Sequence, residues 1–122
     1  MEKILLFLKC IADENRLKIL KLLLEEEYCV CQLEELLGKS QSSISQHLSY
    51  FKELDLLNEE KSSKWTYYSL NRKVYDRYLS DLIALHSLSL EDLDLNKLDK
   101  KVKNLKSPSE IKGKNIKRSC CN

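Results

Sequence analysis

The chain has 122 residues, a hydrophobic share of 43%, and 21 Lys+Arg against 19 Asp+Glu for a net charge of +2. That is enough apolar material for one modest core and excludes two, so a single domain with a tail is expected. The mean charge conceals an asymmetry: residues 1–95 hold 12 Lys/Arg against 17 Asp/Glu, and residues 96–122 hold 9 against 2. A domain over 1–95 is therefore set off from a basic tail over 96–122, a composition suited to phosphate contact or simply to solvation.

Only two glycines and one proline accompany a leucine-rich apolar set, which points to a mainly α fold. The apolar run from Ile4 to Leu8 is broken by Lys9 and followed by no small-residue cleavage site. It reads as neither a signal peptide nor a membrane span, and a cytoplasmic protein with no membrane partner is expected. Five cysteines are an odd number, and in a reducing compartment they read as thiols, ligands or redox sensors.

In chain order, residues 2–11 are densely apolar and predict a first helix buried on more than one side, which a second subunit would have to cover. Asp13 is a good N-cap for a second helix reaching Leu24, with Leu17, Leu20 and Leu24 inward and Arg16, Lys18 and Lys21 toward solvent. From Gln32, Leu33, Leu36 and Leu37 predict a short third helix stopped by Gly38. Ser40 caps a fourth helix from Gln41 to Leu54, whose core stripe is Ile44, Leu48, Phe51 and Leu54.

Two strand-like segments follow, Leu56 to Lys61 and Trp65 to Leu70, with Ser62 and Ser63 at the turn of a small hairpin. Tyr75, Tyr78, Leu79, Leu82, Ile83 and Leu85 return to helical spacing in a fifth helix. A weaker stripe, Leu95, Leu98, Val102 and Leu105, extends or follows it before Pro108.

With the stripe of the fourth helix inward, Ser42, Gln46, Ser49 and Glu53 face outward, flanked by Ser43 and Ser45. Gln41 and Gln46 suit bidentate contact to adenine, and serines suit base edges or phosphates. The order helix, helix, short helix, turn, polar-faced helix, basic-tipped hairpin, helix is that of a winged helix-turn-helix. Gln41, Ser42, Ser43, Ser45 and Gln46 are the expected DNA contacts, with Lys61 and Lys64 on the wing. His47 lies closer to the core stripe and reads as structural.

The segment Phe7-Leu-Lys-Cys-Ile-Ala-Asp-Glu-Asn-Arg-Leu-Lys-Ile-Leu resembles the opening of the ArsR/SmtB repressors. Tyr28-Cys-Val-Cys-Gln-Leu, Ser40-Gln-Ser-Ser-Ile-Ser-Gln-His-Leu, Leu54-Asp-Leu-Leu and Lys64-Trp-Thr-Tyr-Tyr-Ser-Leu agree in content and spacing, over about residues 5–85. The resemblance implies a homodimer built on the first and fifth helices that binds operator DNA and releases it when an ion binds.

Cys29 and Cys31 resemble the inducer site of the family's arsenic-sensing and cadmium/lead-sensing branches, and the resemblance implies As(III) or Sb(III), or else Cd or Pb, as the ligand. Residues two apart point about 200° away from each other on a helix and the same way in extended chain, so joint chelation needs a non-helical start to the third helix. Helix N-termini also favour the thiolate form that soft ions bind.

Glu34 stands where three-cysteine arsenic sensors carry their third sulphur. Cys10, Cys120 and Cys121 remain open as its replacement. The cadmium/lead branch draws cysteines from an amino-terminal extension that precedes the first helix, and this sequence opens on that helix, which favours arsenic and antimony. A thiol redox switch on the same cysteines is the other alternative. The family's zinc-type site is set aside, because the fifth helix offers only Asp81 and His86. An enzyme is not expected, since no nucleophile has a plausible base partner.

Overall fold

The computed structural model describes residues 2–105. Helix α1 (Glu2–Ile11) is followed after two residues by α2 (Glu14–Glu25), whose start is fixed by the Asp13 carboxylate accepting from the Arg16 N–H at 3.0 Å. A two-residue strand β1 (Tyr28–Cys29) runs directly into α3 (Val30–Leu37). Gly38 then turns the chain in the left-handed region at φ 63°, the conformation that glycine adopts without steric cost. Ser40 opens α4 (Gln41–Glu53) by accepting from the Ser43 N–H at 3.2 Å.

Strands β2 (Leu57–Ser62) and β3 (Trp65–Leu70) form the expected hairpin, in register from Leu57 opposite Leu70 to Ser62 opposite Trp65. Its turn carries Ser63 at φ 57°. The sheet has a third member that the sequence did not reveal: β1 pairs antiparallel with β3, Tyr28 opposite Tyr68 and Cys29 opposite Tyr67. The wing is therefore stitched directly to the cysteine run. Asn71 caps α5 (Arg72–Ile83), which ends in a 3-10 turn over Ala84–His86.

The core gathers Phe7 from α1, Ile19, Leu20 and Leu23 from α2, Leu33 from α3, Ile44, Leu48 and Phe51 from α4, and Tyr78 from α5. Phe7 stacks on Tyr78 with ring centroids 4.8 Å apart and meets Tyr75 edge-on at 6.3 Å. The Tyr78 hydroxyl donates to the Leu54 carbonyl at 3.2 Å, giving the buried ring its polar partner and tying α5 to the end of α4.

The α2 face differs from the expected one. Leu17 is exposed, Leu24 is half-buried, and the inward stripe is Ile19, Leu20 and Leu23. Outside this core, Leu5 and Leu6 on α1 and Ile83 at the end of α5 stand exposed.

The chain divides into two compact units between His86 and Ser87. The described part of the second unit contains α6 (Asn96–Lys103), where Leu98 and Val102 are exposed and Lys103 pairs with Asp99 at 3.0 Å. No helix among the described residues is long and apolar enough to cross a membrane. Pro108, Cys120 and Cys121 lie outside the described residues.

Candidate functional site

Helix α4 buries Ile44, Leu48, Phe51 and Leu54 as its spacing requires, and this leaves Gln41, Ser42, Ser45, Gln46 and Ser49 exposed, with Ser43 half-buried. Three of these hydroxyls and backbone groups are already engaged locally. The Ser43 N–H belongs to the Ser40 cap, Ser42 Oγ lies 3.2 Å from Ser40 Oγ, and Ser49 donates to the Gln46 carbonyl at 2.6 Å. The Gln41, Ser45 and Gln46 side chains are therefore the exposed groups best placed for a ligand along the first two turns.

The cysteine run meets the geometric condition set by its spacing. Cys29 is the N-cap of α3 with extended backbone at φ −90° and ψ 166°, while Cys31 lies in the first helical turn. The two Sγ atoms come to 3.0 Å, well beyond a disulfide bond of about 2.05 Å. Gln32 reaches back so that its Oε1 accepts the Cys29 N–H at 2.9 Å, holding this start in place.

Burial of Cys29 resists its ionisation, but the Cys31 thiol and the N–H groups of Gln32 and Cys31 outweigh that effect and hold its pKa below the ordinary value. Its bond to Cys29, together with partial desolvation and the charge of that neighbour, pushes Cys31 the other way. The two thiols therefore titrate as a coupled pair in which Cys29 gives up its proton more readily than Cys31. Two thiols so placed are soft donors for one ion.

The pair opens on a cleft of about 440 Å³. Val30 and Glu34 of α3 border it on the thiol side, Gln41 and Ser45 of α4 line it as well, and Lys64 of the hairpin turn with Trp65, Thr66 and Tyr68 of β3 line it from the wing. Six residues singled out in the sequence, Cys29, Cys31, Glu34, Gln41, Ser45 and Lys64, therefore meet in one place. Ser42, Ser43, Gln46 and Lys61 do not line it.

Cys10 does not join them. It is 2% exposed and borders a separate cavity with Leu6, Lys9, Arg16, Tyr50, Glu53 and Leu54. Burial pushes its thiol up to about 11. A raised thiol pKa favours the neutral form, so this contribution to stability is lost as pH rises from the ordinary thiol range through about 11. In the native protein iodoacetamide at neutral pH should label exposed Cys31 while sparing Cys10 until denaturant is added, as peptide mass mapping would read. Asp81 and His86 are both exposed on and just after α5.

Arg16, expected in solvent, is instead a junction. Its Nε donates to the Cys10 carbonyl at 2.6 Å, its Nη1 lies 3.3 Å from His47 Nδ1, and its guanidinium stacks 4.1 Å above the Tyr50 ring. One side chain thus ties α1 and α2 to the polar-faced helix α4. Arg16→Met, which keeps the stem and removes the fork, should lower stability by about 1.5 to 3 kcal/mol in urea unfolding. Lysine should not restore it, because one ammonium cannot satisfy both partners and stack.

The arsR-family model of bacterial regulatory proteins matches residues 13–59. The arsenical resistance operon repressor of Bacillus subtilis is 35% identical over 74 residues, 60% of this chain and 70% of that protein. The arsenical resistance operon repressor of Escherichia coli is 47% identical over 64 residues, and the cadmium resistance regulatory protein CadC of Listeria innocua is 40% identical over 63. The matches take in 52% and 51% of this chain, which spans about half the length of each, 55% and 53%.

Among solved structures, reduced HlyU from Vibrio cholerae superposes with a TM-score of 0.56 at 32% identity, over 72% of this chain and 92% of that one. A homodimeric winged helix-turn-helix DNA-binding domain from Mycobacterium bovis shares the fold with a TM-score of 0.57 at 23% identity, over 72% and 83% of the two chains. Matched in sequence across most of the Bacillus subtilis protein and in fold across the winged helix, the chain belongs to the ArsR family of DNA-binding bacterial transcription regulators, which are not enzymes.

Proposed function

We propose that this protein is a cytoplasmic repressor that binds operator DNA as a homodimer and releases it when Cys29 and Cys31 bind trivalent arsenic or antimony. The observation that carries the reading is the 3.0 Å thiol pair opening into a cleft walled by both the polar-faced helix and the wing. With bonds near the ~2.3 Å of zinc–thiolate, a tetrahedral ion needs its sulphurs about 3.8 Å apart, whereas a pyramidal centre with near-right angles needs about 3.3 Å. Both spacings are wider than the 3.0 Å contact and are reached by side-chain rotation, and the donor set of two soft thiols fits a soft trivalent centre.

Gln41, Ser42, Ser43, Ser45 and Gln46 supply the DNA contacts from the first turns of α4, with Lys61 and Lys64 of the wing on the backbone. Leu5, Leu6 and Ile83, exposed in the single chain, supply apolar surface for the second subunit. A symmetric dimer would present its two reading helices about 34 Å apart, one turn of DNA.

The test uses operator DNA selected in vitro by the protein itself, with release measured by fluorescence anisotropy during titration with arsenite, antimonite, cadmium, zinc and peroxide. Release by arsenite and antimonite is expected. Release by cadmium alone would assign the site to the CadC-like reading that the Listeria relative suggests. Release by peroxide alone would replace it with a redox switch, for which a pair of thiols this close is also competent. On the same DNA, Gln46→Ala should weaken binding by about 1 to 3 kcal/mol if that side chain reads a base.

A further inference from the structure

Two thiolates satisfy two of the three bonds of a trivalent arsenic centre, and whatever occupies the third bond must fit the surrounding cleft. Among the described residues no group of three or more His, Cys, Asp or Glu is placed to hold one ion. Glu34 borders the cleft with a hard carboxylate, and Cys10 lies in the other cavity. Yet the cleft measures about 440 Å³, far more than a single small ligand atom fills, since a water molecule takes about 30 Å³.

One wall of that space is aromatic. Trp65 is the only tryptophan of the chain and is 44% exposed. It lies outside the core and borders the cleft with Thr66 and Tyr68 of the same strand, and Lys64 Nζ is 5.7 Å from its ring centroid.

We propose that this site takes organic trivalent arsenicals, R–As(OH)₂, in preference to arsenite, and that Trp65 is the residue that selects for the organic group. The inference rests on the thiol-site reading above. On binding, two As–O bonds break and two As–S bonds form to Cys29 and Cys31. Each departing oxygen leaves as water with a thiol proton, and arsenic stays trivalent throughout. The As–C bond is untouched.

The group R then lies in the cleft, where its apolar face is removed from water against the Trp65 ring. Gln41 and Ser45 close the other side, so R sits between the polar-faced helix and the wing. Arsenite presents a hydroxyl in its place and gains nothing from the indole.

The full reduced chain is titrated with phenylarsine oxide and with arsenite, and bound arsenic is counted by equilibrium dialysis. Each preference is divided by the ratio measured for a free dithiol, which removes the intrinsic chemistry. Wild type should retain a preference for the phenyl compound after that division. Trp65→Ala should lose about three- to tenfold in phenylarsine affinity with arsenite unchanged, and Trp65→Phe should restore most of it. A Cys10→Ser/Cys120→Ser/Cys121→Ser variant should still bind one phenylarsenical per chain.

Equal losses for both arsenicals in Trp65→Ala, no loss for the phenyl compound, or failure of the triple variant to bind it would each overturn the proposal. Cys29→Ser separates the two levels. If that variant binds both arsenicals like wild type, the thiol-site reading falls as well. If it loses both while Trp65→Ala changes neither, only the selectivity inference falls.

Discussion

Phe51→Ala should cost about 3 to 5 kcal/mol of stability, the range for truncating a fully buried phenylalanine. Phe51 is 0% exposed and sits with Ile44 and Leu48 on the inward face of α4, packed in the cluster that also holds Phe7 and Tyr78. Its carbonyl accepts the N–H groups of Leu54 and Leu56 where the chain leaves α4, so the cavity would open beside the turn that leads into the wing. A domain of this size holds roughly 5 to 15 kcal/mol in all, and the loss should lower the melting temperature by on the order of 20 °C. Leu36→Ala is the control: that side chain is 56% exposed and its removal should change stability by no more than about 0.5 kcal/mol. Comparable losses from both, measured by urea and thermal unfolding at one protein concentration, would show that α4 is not packed as described.

The contrast between α4 and α2 explains how much of this fold was legible. In α4 and its C-cap the aliphatic residues and Phe51 recur at Ile44, Leu48, Phe51 and Leu54 with serines and other polar or amphipathic residues between, so one face turns inward. Helix α2 has an apolar residue on every side, and several faces compete. The face that won is Arg16, Ile19, Leu20 and Leu23, an i, i+3, i+4, i+7 stripe whose first member is charged. Treating arginine as solvent-facing hid that stripe, and with it the junction to Cys10, His47 and Tyr50. A long stem that packs and a head group that finds a carbonyl make such a position tolerable.

The thiol site was legible in part for a related reason. Residue spacing alone required extended backbone at Cys29, and that condition is met. What enforces it is a partner distant in sequence, since a two-residue strand has no periodicity to read, and the pairing of Tyr28 and Cys29 with Tyr68 and Tyr67 appears only once β3 is in place. The same pairing brings Trp65, Thr66 and Lys64 round to the cleft. An aromatic residue beside a hairpin turn reads in sequence as a strand former, and its place on the cleft appears only in three dimensions.

Cys29→Ser should leave operator affinity close to wild type while removing release by arsenite, because the sulphur stands at the start of α3 whereas the proposed DNA contacts lie on α4 and the wing. The Cys29 side chain contributes a sulphur to the cleft and no cap bond that serine's hydroxyl could not replace, and serine is a good N-cap. Helix α3 should therefore still form, and α4 keeps its own cap at Ser40. The coupling lost is the difference in DNA affinity between the free and ligand-bound protein, typically about 1 to 3 kcal/mol or 5- to 150-fold. On the proposed reading a bound centre would widen the 3.0 Å contact of the two sulphurs at the point where β1 becomes α3. That movement would reach β3 through the Cys29–Tyr67 pair and α4 through the Gly38 turn, the two elements that face DNA in the proposed complex. With one sulphur replaced by a hard oxygen the centre is no longer gripped at both ends, and arsenite should leave the anisotropy of the bound operator unchanged. A variant that binds operator normally and is still released at the wild-type arsenite concentration would place the sensor elsewhere in the chain. One that no longer binds operator at all would mean that Cys29 serves the reading unit itself.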